Sequence, residues 1–353
     1  MRFRFRSQPL SIALRLLAPA MLLAGLGLTL PVTLSGQGCV IARGGGGAMV
    51  LGGDGLLEKG DWQVNVAHRW LYSDRHFRGR IEEKHRQEQD TQVINNSHFL
   101  DVTITRALSR RLWLNLTLPF TEHDRSSLYE HLGNNSGQRF HTQAGGLGDV
   151  RLSGTWWVLD PETHHRGNFS IGIGVKAPTG DFKATDTFIR PSGPMLRYVD
   201  SSIQPGDGGW GATLELQGFM HLVGNLSGYA NAFYLFNPRE RIRATNFSVP
   251  DAYMARTGID WSVTRLPGLS VSLGGRIEGV PAEDVFGGSL GSRRPGYAIS
   301  VEPGLSYARG RFFGTITVPI AVERNRVRTY GASTTGDAAF ADYTINSSLS
   351  VRF

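Results

Sequence analysis

Apolar residues recur at every second position in one segment after another, from Trp62 to the end of the sequence at Phe353. Residues 343–353 put Tyr343, Ile345, Leu349, Val351 and Phe353 on one side and Thr344, Asn346, Ser348, Ser350 and Arg352 on the other. A period of two is that of a strand with one greasy and one wet face. The same alternation aligns Val64, Val66 and Trp70, then Leu100, Val102 and Ile104, then Leu112, Leu114, Leu116, Leu118 and Phe120. It continues through Leu152 and Trp156, Ile171 and Ile173, Leu214 and Leu216, a weaker run at Ala230, Ala232 and Tyr234, and then Ile259 and Trp261. Val271 and Leu273, Val301 and Leu305, and Ile316, Val318 and Ile320 lead into the terminal segment. About twelve strands result, each near the ~10 residues that cross an outer membrane when tilted.

The connections alternate in length. Those near Leu108, His221, Thr264 and Ala308 are short, and the one from Asp160 is slightly longer. Between them lie long polar stretches at 74–96, 121–145, 181–209, 237–250, 281–296 and 322–340. A soluble sandwich also has two-faced strands, but it has no reason to put every long loop at one end. Outer-membrane barrels do, with short periplasmic turns and long outer loops. An even strand number brings the chain back to the side where it began, and the last strand must close against the first, because an unpaired strand edge cannot face lipid. The expected fold is therefore all-β, a transmembrane antiparallel up-and-down barrel over residues 62–353. A terminal strand carrying Tyr343, Leu349, Val351 and a final Phe353 resembles the signal by which the barrel-assembly machinery recognises its clients.

Composition agrees with this class. Of 353 residues, 45 are glycine and only 19% are charged, which suits strands and turns better than helices. A net charge of +7 points to contact with anions. The N-terminus narrows the choice of anion. Arg2, Arg4, Arg6 and Arg15 flank the apolar run at 16–34, and small residues follow. This is the layout of a secretory signal peptide, expected over residues 1–42 with cleavage near 38–42. An uncleaved anchor is the competing reading, which Pro19 and Pro31 disfavour. Secretion argues against nucleic acid as a partner. The single cysteine, Cys39, is either lipidated or removed by cleavage after Ala42, and no disulfide can form within the chain. A glycine-rich stretch then reads as a flexible periplasmic lead over 43–61.

If the greasy positions face lipid, their neighbours face a lumen. These include Arg69, Asp101, Arg151, Lys176, Glu215, Arg256, Asp260, Arg276, Glu278 and Glu302, with both signs in similar number. Such charges either pair and plug a narrow barrel or form a ladder that sets the constriction of a polar passage. Trp113, Trp157, Tyr229, Phe233 and Phe313 share the inward parity, which suits either packing or stacking of an aromatic solute. Trp62, Trp70, Trp156, Trp210, Trp261, Tyr297 and Tyr307 have outward parity and read as interfacial girdle. The outer loops hold the arginine clusters "RHFRGR", "RERIR", "GSRRPG" and "ERNRVR". Arginine binds phosphate in forked geometry, so outer-membrane lipid and lipopolysaccharide are the expected partners.

Three motifs suggest other chemistry and do not carry it. "GGSLG" at 287–291 matches the hydrolase pattern around Ser289, but that pattern needs a strand-to-helix elbow with a base nearby. His164 and His165 are adjacent in a turn, which is not metal-ligand spacing on one strand face. The repeated glycines of "GGLGD" and "GIGVKAPTG" lack the strand-to-helix context of a phosphate loop. No catalytic residue, metal or cofactor is expected.

"GGLGDVRLSGTWWVL", "GNFSIGIGVKAPTGD" and "SIQPGDGGWG" resemble the core of the outer-membrane family labelled as phenol meta-cleavage pathway proteins, often simply called transporters. The resemblance is strong over the middle third, with Ala177 where a leucine is expected before Pro-Thr-Gly. It implies a barrel and, loosely, passage of aromatic or other apolar compounds, without an established catalytic residue. The functional expectation is an outer-membrane channel passing small molecules, aromatic or apolar ones as candidates, by diffusion through a narrow lumen. A plugged structural or adhesive barrel and an outer-membrane hydrolase are the alternatives.

Overall fold

A computed structural model describes residues 56–132 and 136–353. The expected signal peptide, Cys39 and all but the end of the lead fall outside the described residues. Twelve antiparallel strands close into one barrel. They are β1 (Trp62–Arg78), β2 (Ile94–Ala107), β3 (Leu112–Ser127), a β4 in two parts (Phe140–Leu147 and Arg151–Trp157), β5 (Gly167–Lys176) and β6 (Gly211–Val223). The second half comprises β7 (Leu226–Phe236), β8 (Ala252–Ser262), β9 (Leu269–Val280), β10 (Gly296–Arg309), a β11 also in two parts (Phe312–Thr317 and Ile320–Asn325), and β12 (Ala338–Arg352). Each strand pairs with its sequence neighbours, and β12 pairs with β1 from Gln63↔Arg352 to Phe77↔Ala338. No strand edge is left open in the lower wall, as a bilayer requires.

The breaks in β4 and β11 have local causes. At Val318–Pro319, proline has no N–H to give the ladder, and β11 passes from pairing with both neighbours to pairing mainly with β10. At residues 148–150 the outer part of β4 stays with β3 while the inner part joins β3 to β5. Several stretches expected as loop, including 74–78 and 121–127, are strand instead. There β1 and β3 rise beyond the alternating band.

Alternation sorts the side chains as the sequence pattern requires. Leu112, Leu114, Leu116, Leu152, Ile173, Val175, Leu216, Ile259, Leu273, Leu305, Ile316 and Leu349 are exposed on the outer surface, Ile173 by 68%. Monomeric soluble proteins rarely expose apolar patches beyond a few hundred Å², whereas a hydrocarbon surround makes a continuous band the stable arrangement. Trp62, Trp156, Trp261 and Tyr307 lie at the end with the short turns, exposed like the rest of the band. Trp70 and Tyr343 meet edge-on higher up, with ring centroids 6.0 Å apart. They form the second interfacial level.

The outer loops fold back on themselves. Thr185–Arg190 and Gly193–Tyr198 form a hairpin, and Arg241–Ile242 pairs with Phe247–Ser248. Val93, Val199, Ile203, Val249 and Asp251, all outside the barrel strands, are fully buried or nearly so.

Candidate functional site: the lumen

The inward positions of β1, β8, β9 and β10 bring one continuous chain of charges together. Arg69 from β1 reaches Glu278 on β9, four strands round the ring, so this ion pair crosses the interior. Glu278 Oε2 also accepts from Arg276 at 2.9 Å. Arg276 lies 3.6 Å from Glu302, and Arg256 donates to Glu302 at 3.2 Å. Taken contact by contact, Arg69, Glu278, Arg276, Glu302 and Arg256 therefore alternate in sign. A charge removed from water is costly unless paired, and alternation lets each member meet an opposite one.

Two further sets of opposite charges lie on the β2–β5 side of the ring. Arg151 donates to Asp101 at 2.9 Å. Lys176 contacts Asp149 at 3.3 Å and also Asp207, neither of which the sequence pattern selected because both lie outside the alternating segments. Glu215 and Asp260 stand apart from these pairs. Glu215 sits over Gly172 near Arg256 in a small cavity of about 60 Å³ shared with Phe233 and Met254. Asp260 is only 4% exposed, and its Oδ1 has no hydrogen-bond partner among the described residues. It lines a periplasmic vestibule of about 580 Å³ together with Phe313, Arg309, Arg311 and Arg352.

The inward aromatics separate into two places. Trp113 and Trp157 meet edge-on at 5.4 Å, and Phe219 packs on Trp157 at 6.0 Å, close to the periplasmic turns. Leu57, 1% exposed, is buried in this cluster with Leu56 against it. Gly60 N donates to Ala107 O at 2.9 Å, tying the same segment to the rim. Higher up, Phe233, Leu235, Ala252 and Met254 form a second buried cluster from the cross-strand pairs Phe233↔Met254 and Leu235↔Ala252. The Tyr229 hydroxyl occupies the space over Gly258 and Gly274, where a Cβ on either residue would lie 2.6 Å from it. Those glycines are needed for the ring to lie flat against the wall.

The loop arginines follow a different course from the one expected. Arg293 and Arg294 of "GSRRPG" are buried against Asp284 and Asp200, and Arg326 of "ERNRVR" is buried among backbone carbonyls. They cannot present a fork to lipid phosphate, because the loops that carry them fold inward and pair them with carboxylates or carbonyls. Arg125, unselected by the sequence pattern, joins the same layer, bonded to Glu130 at 2.6 Å and 3.8 Å from Asp200. Burial alone would raise the Asp200 carboxyl, but Arg125 and Arg294 hold it well below the usual carboxylate range. Arg78, Arg241 and Arg243 remain exposed.

Ser289 lies in a turn between Gly287 and Gly291, both with positive φ, and its hydroxyl accepts from Asp284 N at 2.9 Å. No group of His, Cys, Asp and Glu among the described residues is arranged to hold a metal.

A closed twelve-strand ring with an apolar exterior and a polar, paired interior defines an outer-membrane β-barrel. A solved structure supports the fold. An outer membrane channel from Pseudomonas putida F1 matches over 84% of this chain and 97% of its own length, with a TM-score of 0.53 and 14% identity. The β domain of the Bordetella autotransporter BrkA is similar over 84% and 100%, with a TM-score of 0.46 and 13% identity. The toluene transporter TodX of P. putida is similar over 84% and 90%, with a TM-score of 0.41 and 10% identity. No protein-family profile matches the chain, and no curated protein matches it in sequence.

Proposed function

We propose that this barrel passes small, uncharged, aromatic or apolar molecules across the outer membrane by diffusion. The observation that carries this reading is the mutual neutralisation of the inward charges. The Arg69–Glu278–Arg276–Glu302–Arg256 chain sets three arginines against two glutamates, so its excess is a single positive charge and no large field of either sign develops. Such a constriction gives neither cations nor anions a strong binding step, while cavities lie outside it, beside it and below it. The fold shared with an outer membrane channel of P. putida supports the channel class. The resemblance to the phenol meta-cleavage pathway proteins supports aromatic solutes.

Leu57 seated among Trp113, Trp157 and Phe219 favours a second reading, a barrel closed at its periplasmic mouth. Single-channel recording in a planar bilayer separates the two. A channel gives discrete steps, and Arg276→Ala shifts them toward cation selectivity because Glu278 and Glu302 lose a shared partner. A closed barrel gives no steps in either form.

A further inference from the structure

Between the outer loops and the top of the lumen lies a partly open cavity of about 120 Å³. One wall is apolar, formed by Phe182, Leu235, Ile242, Phe247 and Val280, with Ala252 on the floor. The remaining lining is polar and carries hydroxyls, among them Ser201, Ser202 and Ser248, beside Gln204, Asp207, Asp251, Arg293 and Arg294. We propose that this cavity is a binding site for an uncharged, single-ring molecule bearing one small polar substituent, held before it enters the lumen.

Size, charge and placement each support this assignment. A cavity of roughly 150 Å³ accepts benzene, so a partly open space of about 120 Å³ is near the size of one ring and small for two fused rings. The ionised groups in its lining are already committed. Arg293 is held by Asp284, Arg294 by Asp200, and Asp207 by Lys176. Asp251 accepts from Asn237 N at 2.7 Å and from Val285 N at 2.9 Å. A charged guest would have to break one of these buried pairs, which is strongly unfavourable, whereas a neutral hydroxyl can share the serine wall. Ser248 Oγ, which accepts from Arg293 Nε at 2.9 Å, fixes the orientation of that wall.

The floor explains how such a site would serve passage. Leu235 and Ala252 line this cavity, while Phe233 and Met254 of the same buried cluster line the small cavity beside Glu215 and Arg256. Two members of one buried cluster thus line each cavity. One of these members is methionine, an unbranched, adaptable residue suited to moving aside. As a stage of transport this inference rests on the channel reading above; as a binding site it stands on the cavity alone.

The test is calorimetric titration of the detergent-solubilised barrel with phenol, benzoate and 1-naphthol. The expected result is saturable binding of phenol and none of benzoate or naphthol. Ala252→Leu, which extends the side chain into the cavity, weakens phenol binding about tenfold or more. Phe247→Ala, in the loop hairpin and outside the barrel wall, admits naphthol. Heat-modifiable electrophoretic mobility verifies that each variant barrel is closed. Equal phenol affinity in wild type and Ala252→Leu, benzoate binding as tight as phenol, or no gain of naphthol in Phe247→Ala overturns the site. Absence of phenol binding while bilayer steps persist overturns it and leaves the channel reading standing. Phenol binding without steps keeps the site and removes the channel reading.

Discussion

Glu302 is the shared anion of two arginines on neighbouring strands, Arg256 and Arg276. Removing one member of a buried ion network leaves the other charges uncompensated, at a cost of about 3–5 kcal/mol. Glu302→Gln is therefore expected to lower thermal stability in detergent by that order, and the double change Glu302→Gln with Arg256→Met should recover part of it. Equal melting of wild type and Glu302→Gln would contradict the pairing. Asp200 gives a pH-dependent counterpart outside the membrane band. Its folded carboxyl is held below its unfolded value by Arg125 and Arg294 despite burial. Its contribution is thus complete above the unfolded value of about 3.9 and is lost as pH falls through the folded value. Asp200→Asn should melt earlier than wild type at pH 7, and the gap should narrow only below pH ~4. At this scale the sequence was only partly legible. Parity alone selects Arg69, Arg276, Glu278 and Glu302 as inward, but no local pattern shows that Arg69 reaches a residue 209 positions away. Nor could composition reveal that Arg293, Arg294 and Arg326 turn inward, since an arginine-rich loop reads the same whether it meets lipid phosphate or a carboxylate beneath it.

Among the elements, the strands were legible wherever one face meets hydrocarbon and the other polar groups. Leu112, Leu114 and Leu116 against Trp113, Asn115 and Thr117 is such a stretch. Above the band the environment is polar on both sides, so the extensions at 74–78 and 121–127 carry no period of two and read as loop. The short hairpins in the outer loops have the same origin. The segment before β1 illustrates a different gap. Leu56 and Leu57 are two isolated leucines after a glycine-rich stretch, and nothing in their spacing predicts burial. Burying a leucine contributes about 1.5–3 kcal/mol, so Leu57→Asp should release the segment without unfolding the barrel. In the bilayer assay this variant is expected to raise conductance or the open fraction severalfold. Unchanged steps would show that the segment does not obstruct the passage.

For the whole molecule, stability and closure are one property. β12 pairs with both β1 and the inner part of β11, and Leu349 lies opposite Val66 on one side and Gly314 on the other. Leu349→Pro removes an N–H from this seam and inserts a rigid φ. The expected outcome is loss of the heat-modifiable folded band and of material in the outer-membrane fraction, whereas Leu349→Val retains both. We propose that the same terminal strand is the segment offered to the barrel-assembly machinery.

The seat of Leu57 has a consequence for the order of events in biogenesis. Trp113, Trp157 and Phe219 come from β3, β4 and β6, so their pocket does not exist until those strands lie side by side. A residue that precedes the first strand therefore finds its place only after a large part of the wall has formed, and any obstruction of the mouth follows wall construction in time. A nascent barrel would be leaky before it becomes tight, and a chain stalled in insertion would reveal itself as a hole in the envelope.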